Sequence, residues 1–512
     1  MIDRRIFLQQ VTAAGMIAAG CRPSDNASRL LRKLGAYPFS LGVASGDPTP
    51  TGVVLWTRLA PDPLRGGGMP PEAVNVNFEV STDEQFSRVV KRGAVAAVPE
   101  SAHSVHVELE GLDPDRWYWY RFIAGGEASP VGRTRTMPVL SSNPERMRFA
   151  VASCQHFEHG FYTAYRHMAQ QDFDLVLHLG DYIYETSVSP VPARLHTGTE
   201  PTTVDEYRLR YAQYKLDRDL QAAHHSAPWI VTWDDHEFDN NYAGVFAEDF
   251  ADPEQFLIRR AAAYQVYYEN MPLRRSALPN GPDMKLYRTI QFGGLADFHV
   301  LDTRQYRSDQ SCGDRRKPVC DEWSDPERTF LGNEQEAWLM DRLDKSAAKW
   351  NAIPQQVLMA DVNFGPGNEV WHAMDKWGGY PVARERLLRF LDQRKPTNPV
   401  VLTGDIHSSW VNDVRIDPTD LSAPVVATEF VGTSITSGGD GVDMWDTGPM
   451  LLAKNPQIKY YNSKRGYMAC ELTPERWTTE FKRVDAVTNP NGTVTTHATF
   501  VVEDGTPGAQ SA

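Results

Sequence analysis

Seven side chains that could bind a metal ion or move a proton follow four short apolar runs of the sequence. They are Cys154, Asp181, Tyr184, Asp235, His236, Asp405 and His407. A short apolar run of this kind is typical of a strand that is buried on both faces. In α/β folds, ligands gather outside the carboxyl ends of such strands. We therefore expect the seven side chains to converge on one pocket.

The donor types indicate two different metal ions. A phenol such as that of Tyr184, with an ordinary pKa of about 10, needs a strong Lewis acid to ionise, which favours Fe³⁺. The thiolate of Cys154 would add a second anionic donor. The carboxylates of Asp235 and Asp405 suit a hard cation such as Ca²⁺, Mg²⁺ or Mn²⁺. Structural alternatives stay open: Cys154 could be a buried inert thiol and Tyr184 a core residue.

Size and charge limit the functional classes. A chain of 512 residues is expected to form two or three domains. The formal net charge of −14 argues against wrapping of nucleic acid or binding to anionic lipid by charge alone. An anionic substrate remains compatible with this charge, because bound metal ions would dominate the local field.

Residues 1–30 have the pattern of an export signal and do not enter the fold prediction. Arg4 and Arg5 open a segment that resembles a twin-arginine signal, which would deliver the chain to the twin-arginine export machinery. The following "AAGC" resembles a lipobox that would attach a lipid anchor at Cys21, although Ala18 stands where lipoboxes favour Leu. We expect an exported protein, either periplasmic or a lipoprotein at the cell surface. An ordinary signal peptide without a lipid is the alternative.

The remaining cysteines separate by role. Cys312 and Cys320 bracket a short charged loop, and export to an oxidising compartment favours a disulfide between them. Cys470 lies in a strand-like segment and is expected to be a small buried hydrophobe. Cys154 is left without a partner.

The pattern of predicted strands and helices changes twice along the chain. Residues 37–138 contain short alternating strands separated by Pro, Gly and Asp turns, which predicts a small β-sandwich of the immunoglobulin or fibronectin kind. Over residues 147–485, buried-type strands alternate with longer helical segments, which predicts an α/β layer architecture. Residues 486–512 are expected to form a C-terminal tail.

Three motifs in a fixed order resemble the calcineurin-like metallophosphoesterase superfamily. They are "GDYIY" at 180–184, "DDHE" at 234–237 and "GDIH" at 404–407. With "FSLGVASGDPTPTGVVLWTRL" and "LGNEQEAWL", their order is similar to that of PhoD-type alkaline phosphatases/phosphodiesterases, over roughly residues 37–480. The resemblance implies an αββα metallophosphoesterase sandwich preceded by the N-terminal β-sandwich. It also implies a mixed centre of Fe³⁺ and Ca²⁺.

The resemblance assigns ligands to each ion at the matching positions. It implies that Fe³⁺ is bound by Cys154, Asp181, Tyr184 and His407. It implies that Ca²⁺ is bound by Asp181, Asp235 and Asp405, with Asp361 and Asn363 as further candidates after an expected strand in "QQVLMADVNFGPG". The related purple acid phosphatases carry a His near these last two positions, and this chain has none there. A turn or cap role for Asp361 is therefore the alternative.

The reaction that the resemblance implies is hydrolysis of phosphate esters by metal-activated hydroxide. His236 is the candidate to bind the phosphate or protonate the leaving oxygen. Arg304 is the candidate clamp on two phosphate oxygens, since a planar guanidinium can contact both. A structural arginine paired with Asp302 or Asp309 is the alternative.

Two other functions are compatible with the same sequence. One keeps the site but acts on phospholipid head groups or teichoic acid, as a phospholipase-D-like enzyme or phosphodiesterase. The other is a non-catalytic surface protein that binds through its β-sandwich. The complete set of candidate ligands argues against the second, because a binding protein needs none of them.

Overall fold

The computed structural model describes residues 36–187, 191–248 and 252–512. The expected export signal and Cys21 lie outside these residues. The strands, in chain order, are β1 (Val43–Gly46), β2 (Val53–Arg58), β3 (Val74–Ser81), β4 (Val89–Ala97), β5 (Ser104–Leu109), β6 (Trp117–Ala124), β7 (Glu127–Ala128), β8 (Gly132–Arg135), β9 (Met147–Ala152), β10 (Leu175–His178), β11 (Trp229–Val231), β12 (Arg288–Phe292), β13 (Ala296–Val300), β14 (Arg316–Lys317), β15 (Trp350–Pro354), β16 (His372–Ala373), β17 (Pro399–Thr403), β18 (Ser409–Val414), β19 (Ala427–Val431), β20 (Gly441–Val442), β21 (Ile458–Lys464), β22 (Gly466–Leu472), β23 (Arg476–Val484), β24 (Val494–Glu503) and β25 (Thr506–Ser511).

The helices lie mainly between the strands of the α/β region. They are α1 (Thr163–Met168), α2 (Val204–Lys215), α3 (Arg218–Ser226), α4 (Pro253–Asn270), α5 (Gly332–Lys345), α6 (Pro381–Arg394) and α7 (Gly448–Lys454). Helix α2 begins at a capping box, in which Thr203 and Glu206 each bond the other's backbone. Helix α4 begins at Asp252, whose carboxylate accepts from two N–H groups of the first turn.

Two large sheets face each other. Among the described residues, a ten-stranded sheet has the order β25-β24-β23-β22-β9-β10-β11-β1-β2-β5. An eight-stranded sheet has the order β12-β13-β15-β17-β19-β18-β21-β20. Apolar side chains from both sheets fill the space between them, among them Phe149, Leu177, Phe298, Leu402 and Phe430.

Helices cover the outer face of each sheet. One apolar cluster joins the ten-stranded sheet to α1–α4, and includes Tyr165, Tyr207 and Tyr264. Another joins the eight-stranded sheet to α5 and α6, and includes Leu339 and Leu387. The layer order is therefore αββα, and the predicted fold class is confirmed.

The N-terminal region is a β-sandwich that shares a sheet with the α/β region. Strands β3, β4, β6, β7 and β8 form one sheet and pack on β1, β2 and β5 through a common apolar core. Strand β1 also pairs in parallel with β11, with Gly46 opposite Trp229. The ten-stranded sheet thus runs without a break from the sandwich into the α/β layers.

Several other expectations have structural counterparts. Cys312 and Cys320 form a disulfide, as predicted. Cys470 is buried in β22, also as predicted. Residues 486–512, expected as a tail, contain β24 and β25 at one edge of the ten-stranded sheet. Within the described ranges, none of the helices combines the length and apolarity needed to cross a membrane.

Candidate metal centre

The turns after β9 and β10 are bonded directly to each other. Cys154 N donates to Gly180 O, and Gln155 N donates to Asp181 O, both at 3.0 Å. Gly180 has a φ of 108°, and a Cβ there would lie 2.4 Å from Asp234 N. Only glycine leaves room for the turn after β11 at this point.

The turn after β17 brings the second sheet to the same place. A Cβ on Gly404 would lie 2.7 Å from Ser153 Oγ, so the two sheets approach closely where their strands end. Asp405 and His407 follow at once. The sequence pattern of four strand ends therefore corresponds to one location in the fold.

Four candidate ligands have a left-handed backbone. The φ angles are 59° at Cys154, 57° at Asp181, 62° at Asp405 and 55° at His407. Non-glycine residues seldom adopt this conformation, and it persists where surrounding contacts enforce it. The backbone of these turns is strained, and the strained conformation fixes the direction of the four side chains.

One group of donors matches the position predicted for iron. Ligand atoms of Cys154, Asp181 and His407 all lie within 4.8 Å of one another. The hydroxyl of Tyr184 donates to Asp181 Oδ2 at 2.6 Å and lies 3.2 Å from His407 Nε2. Ser437 Oγ donates to that phenol at 2.7 Å. The structure brings all four predicted ligands of the first position together.

A second group lies beside the first and is richer in carboxylate. Asp181 also groups with Asp235 and His236, and Asp235 groups with Asp234 and Asp405. The ligand atoms of each group lie within 4.8 Å of one another. Asp181 therefore belongs to both positions, as expected of a bridging ligand. Asp234 is an additional carboxylate that the sequence analysis did not select.

Without a bound metal cation, burial makes the deprotonated forms of these donors unfavourable. It raises the pKa of the Cys154 thiol and of the Tyr184 phenol, and the charge of Asp181 adds to both shifts. Burial also raises the pKa of Asp181 and of Asp405. A bound metal ion would reverse these effects, because it stabilises the deprotonated form of every donor. The residues therefore fit two adjacent metal ions.

Arg304 lies fully buried beneath the second position. Its Nη1 lies 2.8 Å from Asp375 Oδ1, and its Nε lies 2.5 Å from Asp234 Oδ1. Its Nη2 lies 3.4 Å from Asp405 and 3.5 Å from Asp235. These contacts favour a structural arginine, with partners other than the expected side chains of Asp302 and Asp309. The phosphate-clamp role of Arg304 stays a prediction.

Buried cations tune the carboxylates of the second position. Burial alone would raise the pKa of Asp235, but Arg304 and His236 outweigh it and hold that pKa below its usual range. Lys376 Nζ lies 2.5 Å from Asp405 Oδ2 and 2.9 Å from Asp375 Oδ2. The protein itself therefore supports an ionised Asp235, whereas burial keeps the pKa of Asp405 raised despite its contact with Lys376.

His236 stands at the open side of the centre. Its ring stacks on Tyr184 with the centroids 4.2 Å apart. Its Nδ1 lies 2.8 Å from Glu185 Oε2, and its side chain remains 17% exposed. Burial would lower the pKa of His236, but Glu185 and Asp235 together raise it. An oriented, partly accessible imidazole can contact a phosphate oxygen or a departing alkoxide.

The structure does not bring Asp361 into either donor group. The expected strand before it is absent among the described residues, because β15 ends at Pro354 and Met359 N bonds the buried carboxylate of Glu429 at 2.7 Å. Asp361 Oδ1 lies 2.7 Å from His372 Nδ1. This contact gives Asp361 a structural partner, although of a different kind from the turn or cap role that was the alternative.

Asn363 is occupied by its own loop. Its Oδ1 accepts from Gly365 N at 2.8 Å and from Trp371 N at 3.1 Å. Asn363 lines a cavity beside His407, and its carbonyl oxygen accepts from Asn455 Nδ2 at 3.0 Å. Its contacts are those of a turn residue and not those of a free ligand.

One residue that holds the centre was missed by the sequence analysis. The carboxylate of Glu237 accepts from the backbone N–H groups of Asp181 at 3.0 Å, Asp234 at 2.8 Å and Tyr182 at 2.5 Å. It thus joins the turns after β10 and β11. Its place in the "DDHE" motif was the available signal. Lys376 offered none, because it follows no strand pattern.

Comparison with known proteins shows the family of this chain. The family model described as PhoD-like phosphatase matches residues 149–481. The model of the PhoD-like phosphatase N-terminal domain matches residues 25–138. The chain belongs to the PhoD-like phosphatase family. Its enzyme class is therefore that of the phosphoric ester hydrolases.

Two relatives cover nearly the whole chain. Alkaline phosphatase D of Bacillus subtilis (strain 168) is 49% identical over 510 residues, which span 98% of this chain and 88% of the relative. A solved structure described as that of PhoD superposes with a TM-score of 0.92 at 51% identity, covering 93% of this chain and 92% of the other. Both relatives extend across the sandwich and the α/β layers, so the family assignment applies to the architecture as a whole.

Proposed function

We propose that this PhoD-like phosphatase is an exported phosphomonoesterase/phosphodiesterase with Fe³⁺ at the first position and Ca²⁺ at the second. The observation that supports it best is the pair of donor groups that share Asp181. A thiol and a phenol lie on one side of Asp181. Carboxylates lie on the other. Soft and phenolic donors suit Fe³⁺, whereas an oxygen-rich set suits Ca²⁺.

The chain's own residues would bind and orient the ester. Bound ions of this kind lower the pKa of coordinated water and stabilise phosphoryl charge. Glu185 orients His236 through Nδ1, so that the ring can donate to the phosphate or to the departing oxygen. Arg304 contacts Asp235 and Lys376 contacts Asp405, which keeps both carboxylates in position. A centre arranged before the substrate arrives loses little free energy to reorganisation.

The test combines metal analysis with spectroscopy. The purified protein is expected to contain iron and calcium and to show a visible charge-transfer band. Cys154→Ala and Tyr184→Phe should each shift or abolish that band and lower activity at least 100-fold, on the order expected for loss of a metal ligand or its supporting contacts. Tyr287→Phe removes a phenol that bonds Glu334 far from the centre, and should keep both. A colourless protein that keeps full activity in both ligand variants would contradict the iron assignment.

A substrate panel tests the ester class and the second ion. Hydrolysis of a phosphate monoester, a diester and phosphatidylcholine vesicles is measured before and after removal of Ca²⁺. Chelation should stop hydrolysis while the visible band remains. Activity that is indifferent to chelators would overturn the two-ion proposal, and hydrolysis of the phospholipid alone would favour the phospholipase-D-like alternative.

Export and lipid anchoring have their own test. The Cys312–Cys320 disulfide suits an oxidising compartment, which supports export. Replacement of Arg4 and Arg5 by Lys should leave the protein inside the cell. Cys21→Ala should release it from the membrane fraction without blocking export. Unchanged fractionation of the two variants would contradict the twin-arginine signal and the anchor, respectively.

A further inference from the structure

A cavity of about 370 Å³ opens directly beside the metal centre. His407, a proposed ligand of the first position, and Arg465 are among the residues that line it. Helix α7 and the loop around Phe364 form its sides. The cavity therefore continues from the place where the phosphoryl group of an ester would bind.

Aromatic side chains form much of the wall. Trp445 is 52% exposed, and its indole N–H donates to Ser463 Oγ at 2.8 Å, so the ring is both accessible and oriented. Phe364 and Tyr461 face the same space. A planar ring that enters the cavity would find faces on which to stack.

Cations line the cavity beside these rings. The Arg316 guanidinium lies 4.2 Å from the centroid of Phe364, and within the described ranges its electrostatic neighbour is Tyr461 and not a carboxylate. Lys454 bonds the carbonyl of Gly365 and also lines the space. In a chain with a net charge of −14, the exposed Arg316 and the half-buried Lys454 form a local concentration of positive charge that suits an anionic group.

We propose that this cavity binds one ester substituent of the substrate, and that the preferred substituent is an aromatic ring carrying a second anionic group. The inference rests on the proposed function, since it places the phosphoryl group at the metal centre. Trp445 would stack on the ring, and Arg316 would pair with the second anion. Both are residues that determine specificity and do not touch the reacting atoms.

Non-cleavable phosphonates test this without the effect of leaving-group reactivity. The dissociation constants of methylphosphonate, phenylphosphonate and 4-carboxyphenylphosphonate are measured by calorimetry on the metal-loaded, full-length protein. Phenylphosphonate should bind roughly 10-fold more tightly than methylphosphonate, from stacking. The carboxylate should add a further gain of about 2-fold to 5-fold, from a partly exposed ion pair.

Two variants separate the two gains. Trp445→Ala should remove the phenyl advantage, and Trp445→Phe should restore most of it. Arg316→Ala should remove only the advantage of the carboxylate. Leu421→Ala, at a side chain 50% exposed elsewhere, and Arg92→Ala, in the N-terminal sandwich, are matched controls that should keep both gains.

Three outcomes would overturn the inference in distinguishable ways. In the first, the protein hydrolyses esters normally but binds all three phosphonates with equal affinity, or keeps its affinity ratios in both Trp445→Ala and Arg316→Ala. Either result excludes the subsite and leaves the proposed function standing. A similar gain for octylphosphonate that is insensitive to Trp445→Ala would show a general apolar surface instead of an aromatic site. A metal-loaded protein that hydrolyses no ester and binds no phosphonate removes the proposed function and this inference together.

Discussion

Glu237 is the residue that stabilises the strained turns of the centre. Left-handed conformations at non-glycine residues cost on the order of 1–3 kcal/mol each. Three backbone N–H groups of the turns after β10 and β11 donate to this one carboxylate. A buried carboxylate with several charge-assisted bonds can offset such a cost.

Glu237→Gln should therefore weaken the centre. An amide offers one acceptor oxygen and directs its NH₂ group at a backbone donor, so about 1–3 kcal/mol of unfolding free energy should be lost. Metal content should fall with it. Urea unfolding and metal analysis measure the two effects. Glu145→Gln, at an exposed glutamate, is the control, and equal metal content and stability in the two variants would contradict the role of Glu237.

Arg304 offers a test between its two predicted roles. Arg304→Met leaves buried carboxylates without their cation, which should cost about 3–5 kcal/mol in unfolding free energy. Added metal ions should recover part of this loss, because they neutralise the same charges. A phosphate clamp would behave differently: the variant would keep its stability and show only a raised KM. Arg389→Met on the exposed face of α6 controls for loss of a surface arginine.

Some residue roles could be predicted from the sequence, and others could not. The ligands at four strand ends could be predicted, because an apolar run followed by polar residues marks the edge of a sheet. Asp361 shows the limit of that pattern. The same kind of apolar run precedes it, but the backbone N–H groups of Met359 and Ala360 in that run donate to the side chain of Glu429, 70 and 69 residues away, and this contact exists only in the folded chain.

At the scale of single elements, helix α2 ends at a buried lysine, Lys215. Lys215 Nζ lies 4.2 Å from the centroid of Trp56 and donates to the Tyr182 hydroxyl at 3.2 Å. Burial lowers the pKa of Lys215 to about 7, and nearby Arg58 adds to the shift. His224 and His178, which also face this site, have pKa values lowered by burial and by Lys215.

The stability of the fold should therefore rise above neutral pH. Below pH 7 the lysine is protonated in both the folded and unfolded states, and the full cost of burying its charge is present. Between pH 7 and 10.5 the unfolded chain keeps a proton that the folded chain has lost, so unfolding becomes less favourable.

Lys215→Met measures this effect. The variant should exceed the native protein by on the order of 2–4 kcal/mol in unfolding free energy at pH 6, and the difference should shrink by pH 9.5. Urea unfolding at the two pH values measures it, with Lys345→Met on α5 as an exposed control. A constant difference across that range would mean that Lys215 titrates normally.

Element types followed from local patterns more reliably than element partners did. The alternation of β6, with every second residue buried, and the capping box of α2 are both legible in the sequence. The pairing of β1 with β11 is not, because it brings together Gly46 and Trp229, which lie in different regions of the chain and are far apart in the sequence.

At the scale of the whole molecule, the N-terminal sandwich supports the metal centre. It flanks β11, a strand of three residues that leads to Asp235. It is also fixed by Trp56, whose indole donates to Glu269 O at 2.9 Å, and by an ion pair of 2.6 Å between Asp47 and Arg288. Without it, β11 would become an exposed edge strand.

Fragment complementation tests this dependence. Residues 139–512 alone should fail to retain metal or hydrolyse esters. Mixing or co-expressing them with residues 36–138 should restore both, since the contacts are non-covalent. Activity and thermal unfolding of each fragment and of the mixture provide the measurement. Full activity of 139–512 alone would show that the shared sheet is dispensable.

The unbroken ten-stranded sheet also restricts how the enzyme can move. Many two-domain hydrolases admit substrate by hinge rotation between domains, which requires a flexible connection with few crossing contacts. Here the backbone ladder from β5 to β25 crosses the boundary, and β1, β2 and β5 serve both regions at once. Hinge closure is therefore not available to this chain. Substrate entry and product release must depend on local motion, and turnover should be insensitive to changes in solvent viscosity that slow domain rotation.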